Sequence, residues 1–66
     1  MDELYLFEGI SMKRVLLEVK FKETSTIKSF EATGASFYDA LNECFKLLDK
    51  YNLFNDNYEI LYILKV

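Results

Sequence analysis

Sixty-six residues, 52% apolar, 17% aromatic and 29% charged, with a net charge of −3, exclude a disordered tail and fit one small folded domain, residues 1–66. With no histidine and a single cysteine, the chain has no histidine-based catalytic triad, no internal disulfide and no ordinary zinc site. The charge is −1 over residues 1–33 and −2 over 34–66, so neither half has the basic surplus that drives nonspecific nucleic-acid binding.

A domain this small buries only about 60% of the surface its unfolded chain exposes. Stability must therefore come from a dense core, supplied by six Phe and five Tyr, or from burial against another chain.

The opening Met1-Asp2-Glu3 is acidic where a signal peptide is basic, and the apolar run Leu4–Phe7 is too short for its h-region. A cytoplasmic protein is expected. Leu4-Tyr5-Leu6-Phe7 reads as a short extra strand or arm within residues 1–11. The apolar stretch Ile60–Leu64 is far below the roughly 20 residues that span a bilayer, so no membrane partner is expected.

Residues 14–22 alternate: Val15, Leu17, Val19 and Phe21 point one way, and Arg14, Glu18, Lys20 and Lys22 the other, with Leu16 the apolar exception. Period two predicts a half-buried strand. A turn at Thr24-Ser25 leads into a second strand over 26–33, where Phe30 and Ala32 are in phase and Ile27 is not; a bulge near Lys28-Ser29 would reconcile them. Gly34 reads as a positive-φ turn residue before the helix.

Ser36 followed by Asp39 predicts a capped helix start. At 100° per residue, Phe37, Ala40, Leu41, Cys44, Leu48 and Tyr51 share one face, and the helix ends near Asn52. Asn55-Asp56-Asn57 reads as a turn. Residues 58–66 then form a closing strand whose two faces are both apolar at the middle, as in a central or doubly covered strand. The expected fold is α+β: a small antiparallel sheet of three or four strands in (β)ββαβ order, with one amphipathic helix packed on one face and strand 14–22 in the middle.

Chemistry is mostly excluded. No Gly-x-Gly-x-x-Gly or Walker sequence is present. Cys44 falls between Leu41 and Leu48 on the apolar helix face, a core thiol rather than a nucleophile. Asp39 and Glu43 lie on the polar face, and Asn55, Asp56, Asn57 and Glu59 lack the spacing and glycine of a calcium loop. No catalytic, cofactor-binding or metal-binding residue is expected, and the chain is read as not an enzyme. Arg14, Lys20, Lys22 and Lys28 are the one nucleic-acid cue, but Phe21 points away from Lys20 and Lys22, so stacking and charge fall on different faces.

The interface candidates are Leu16, Leu61 and Ile63, expected on the sheet face away from the helix among Arg14, Glu18, Lys20, Glu59 and Lys65. An apolar centre rimmed by charge is the anatomy of an interface. Tyr5, Phe7 and Tyr38, at the periphery, are the candidate aromatic anchors. A non-enzymatic protein-binding module is expected, homodimeric and acting as a small inhibitor that occludes a partner protein, of a size frequent among phage and mobile-element inhibitors.

The segment Thr33-Gly34-Ala35-Ser36-Phe37-Tyr38-Asp39-Ala40-Leu41, preceded by strands and followed by a final strand, resembles the HicB-like antitoxin fold over residues 14–66. The resemblance implies a small sheet preceding a helix opened by a Ser/Thr-x-x-acid-Ala-Leu pattern. Its functional counterpart is an antitoxin or nucleic-acid-binding regulator. The family's glycine-rich hairpin turn and Pro-Gly-Cys-type loop are missing from this chain.

Overall fold

The computed structural model describes residues 12–66; the expected arm of residues 1–11 lies outside them. Strands β1 (Lys13–Phe21) and β2 (Thr26–Gly34), helix α1 (Phe37–Tyr51) and strand β3 (Tyr58–Lys65) follow in that order. One antiparallel sheet, ordered β2-β1-β3, carries the helix on one face, an α+β domain.

The alternating strand is central, as its pattern requires. Val15, Leu17, Val19 and Phe21 are between 0 and 4% exposed, and with Phe30, Ala40, Cys44 and Leu48 they form the core. Burying each Val, Leu or Phe among them contributes about 1.5–3 kcal/mol. Tyr51 closes the core at one end, its ring 5.5 Å from that of Phe21 and 5.7 Å from that of Phe30. At the other end, the ammonium groups of Lys13 and Lys65 lie 5.6 and 5.0 Å from the centre of the Phe37 ring.

Helix α1 starts where its cap dictates: Ser36 is extended, and its Oγ accepts from the Asp39 N–H at 3.1 Å. Asp39 in the first turn and Lys50 in the last complement the helix dipole. Asn52 ends the helix, donating its N–H to the Leu48 carbonyl at 2.8 Å.

Three details of the pattern resolve differently from expectation. Strand β2 pairs with β1 in unbroken register from Thr26 to Gly34, so no bulge lies near Lys28-Ser29. Ile27 instead stays out of phase with the core, paired with Lys20 and exposed, while Lys28 pairs with Val19 and lays its ammonium 5.1 Å from the Tyr51 ring centre. The irregularity sits in β3, where Val19 faces Ile60 and Glu18 faces Tyr62, leaving Leu61 without a partner. Strand β3 is at the edge, as a middle position for β1 requires, but it is not doubly covered: among the described residues nothing buries it, and all eight of its residues are exposed.

Gly34 is the third. Its φ is not positive. What it provides is room: a Cβ there would stand 2.7 Å from the Ala40 nitrogen and 2.8 Å from the Asp39 Cβ. Only Ala35 and Ser36 separate β2 from the helix, so the first turn must press directly on the strand end.

Gly34→Ala is accordingly expected to force the helix start off the sheet, costing about 1–3 kcal/mol as overpacking against backbone. Thermal unfolding should show a melting temperature lowered by roughly 10 °C at this chain length. An unchanged melting temperature would contradict the close approach.

Candidate functional site

The helix packs against β2 and β1, and β3 receives almost none of it. On the helix side of the sheet the register sets Tyr58 beside Phe21, Ile60 beside Val19, Ile63 beside Leu17 and Lys65 beside Val15. The β1 member of each pair is buried; Tyr58, Ile60 and Ile63 are 37, 43 and 45% exposed.

Ile63 was expected on the face away from the helix, and this is corrected. The bulge at Leu61 shifts the phase of β3 by one residue, so Ile63 lies on the helix side and Tyr62 and Leu64 take the far side with Glu18 and Leu16. Leu16 is where the alternation put it, on the far side, half-buried opposite Leu64 and Glu31. Leu61 is at the bulge, 38% exposed. Tyr38 is 72% exposed in the first turn of the helix. Tyr5 and Phe7 lie outside the described residues.

The far face is more polar than expected. Glu18, at its centre, accepts from Ser29 Oγ on β2 at 3.4 Å. Across the strands from it is Tyr62 on β3, and interaction with the Glu18 carboxylate holds the Tyr62 phenol above its usual pKa. Arg14 Nε meets Glu31 at 3.0 Å on the same face. The uncovered apolar surface is therefore β3 itself, Ile60 to Leu64, apolar on both faces and 38 to 49% exposed.

The basic cue does not assemble into a stripe. Lys28 is on the helix side, Lys20 on the far side opposite Glu59, Arg14 is paired with Glu31, and Lys22 is in the turn. Cys44 is fully buried, its thiol within 3.4 Å of the Val15 carbonyl and 3.5 Å of the Phe30 carbonyl. Burial pushes its pKa up, against the partial opposition of the Ala32 and Leu17 amides, which disfavours the thiolate a nucleophile needs. Among the described residues no group of three or more Cys, Asp and Glu gathers as a metal site would require, and no helix is long and apolar enough to cross a membrane.

A second exposed feature escaped the sequence reading. Leu53 and Phe54, in the loop from α1 to β3, are 79 and 88% exposed. The loop is built by Asn52: its side-chain amide donates to the Asp56 carbonyl at 3.0 Å and accepts from the Asp56 N–H at 2.9 Å. Asn55, at φ 56°, makes the left-handed turn that asparagine tolerates well. The Lys22 N–H donates to the Asn57 carbonyl at 2.9 Å, so the loop is tied to the β1–β2 turn. Between them opens a pocket of about 350 Å³, lined in part by Phe21, Tyr51, Leu53 and Phe54. The available signal was two large apolar residues stranded between a helix-ending Asn and a polar turn.

Asn52→Ala removes both side-chain bonds and should lower stability by about 1–2 kcal/mol, since each is worth about 0.5–1.5 kcal/mol net. Denaturant unfolding measures this, and Asn52→Asp, which keeps the acceptor for the Asp56 N–H, should lose less. Equal losses in the two variants would show that the amide clamp is not what holds the loop. Comparison with protein-family models, curated proteins and solved structures returns no match, so the site is read from its geometry alone.

Proposed function

We propose that this chain is a non-enzymatic protein-binding module that acts by covering a partner protein, in the manner of a small inhibitor. The observation that carries the reading is β3: five consecutive apolar residues, Ile60 to Leu64, stand exposed on an ordered strand, with neither face covered by the described residues. Monomeric proteins rarely leave a contiguous apolar surface of this kind without a use for it. The Leu53–Phe54 tip supports the same reading, because a clamped loop presents an aromatic anchor at little entropic cost.

Catalysis has little support beside it. The buried Cys44 thiol is held in its unreactive form, and the carboxylates Asp39 and Glu43 lie exposed on the polar side of the helix, with Glu43 paired to Lys46 at 3.0 Å. A nucleic-acid-binding role lacks a basic surface, because the cations are divided between the two faces.

The test is capture of a partner by the immobilised chain, then reconstitution with that partner purified. Leu61→Lys and Phe54→Ser, both at exposed positions, should keep the circular dichroism of the parent. Each is expected to weaken reconstituted binding at least tenfold, the scale of losing one buried anchor of about 1.4 kcal/mol or more. Binding that survives both substitutions would overturn this reading, as would a salt-sensitive gel shift with an oligonucleotide.

A further inference from the structure

Strand β3 presents, besides its side chains, an outer row of backbone N–H and C=O groups with which nothing pairs among the described residues. Such an edge is a template for another strand. Proteins usually blunt an edge with charge or proline, and the other edge here is blunted: β2 carries Lys28 and Glu31 among Ser and Thr. Strand β3 has no charge from Ile60 to Leu64 and no proline.

We infer that the occupant of this edge is a second copy of the chain, with β3 pairing antiparallel to β3 of its partner about a two-fold axis between Leu61 and Tyr62. Three observations select a second copy over any other strand. The acid Glu59 is at one end of the strand and the base Lys65 at the other, so antiparallel self-pairing sets like charges together at neither end. The required partner is an extended segment apolar on both faces, and β3 is itself such a segment.

The third is the bulge. In a bulge-free strand, an axis between two residues would set the helix side of one copy against the far side of the other. Here the phase shift at Leu61 corrects that mismatch. Ile60 then faces Ile63 and Tyr58 faces Lys65, both pairs on the helix side, while Glu59 faces Leu64 on the far side. A bulge that would frustrate pairing with an unrelated strand fits against its own copy.

The product is one six-stranded sheet, β2-β1-β3 continued through its symmetry mate, with both helices on the same face. Between the helices lies a trough two strands wide, floored by Tyr58, Ile60 and Ile63 of both copies. This inference rests on the reading of β3 as a contact surface, and the trough is the part of that surface left for a foreign protein.

Sedimentation equilibrium of the full chain should give a dimer at high micromolar concentration, and Tyr62→Lys, which sets two ammonium groups beside the axis, should raise its dissociation constant at least tenfold. For the register, Tyr62→Cys should cross-link to its copy on oxidation, since the two Cα atoms are diagonal across the axis at about 6 Å, within the range of a disulfide. Glu59→Cys, about 17 Å from its copy at 3.3–3.4 Å per residue, should not. Buried Cys44 does not compete. A folded monomer at high micromolar concentration overturns the inference, and so does a dimer in which Glu59→Cys cross-links and Tyr62→Cys does not. If a monomer still binds its foreign partner through Leu61 or Phe54, self-pairing is wrong and the protein-binding reading stands.

Discussion

An α-helix with its side chains is about 10–12 Å across, and strands in a sheet are about 4.8 Å apart. One helix therefore covers two strands, and the sheet of the described residues has three. The link of Ala35 and Ser36 ties the helix start to the end of β2, with Gly34 pressed against the first turn, so the covered pair is β2 and β1. Everything distinctive about the molecule follows from the strand left over. The core is a two-strand core, and β3 is held by its backbone pairing to β1 while the described residues leave its side chains exposed.

Much of this was legible wherever a periodicity met a single environment. Strand β1 has one buried and one solvated face, and its alternation identifies the core from Val15 to Phe21. The helix face through Ala40, Cys44 and Leu48 follows from 100° spacing, and Ser36 with Asp39 marks its start. Strand β3 was misread because apolar residues on both faces look the same whether a strand is buried twice or not at all; composition carries no sign of which. Bulges are illegible for a related reason. The phase break that Ile27 suggested was an exposed isoleucine, and the real break, at Leu61, falls within a run of apolar residues where no change of polarity reveals it.

The candidate site inherits both difficulties. Leu61 and Ile63 were singled out as uncovered and are, but they were grouped with Leu16 on a face that proves largely polar, threaded by Ser29, Glu18, Tyr62 and the Arg14–Glu31 pair. Tyr62, Leu64, Leu53 and Phe54 were passed over, the first two because unbroken alternation from Leu61 and Ile63 puts them on the helix side. The functional reading nevertheless depends on exposure more than on which face: an apolar strand with no cover is a strand awaiting one.

Amide hydrogen exchange followed residue by residue, as a function of protein concentration, tests the account most directly. At high dilution the outward-facing amides of Ile60–Leu64 should exchange orders of magnitude faster than those of β1, and slow as concentration rises, while β1 stays unchanged. Protection of those β3 amides equal to that of β1 at every concentration would mean that the chain covers its own edge, and the uncovered third strand would be an error.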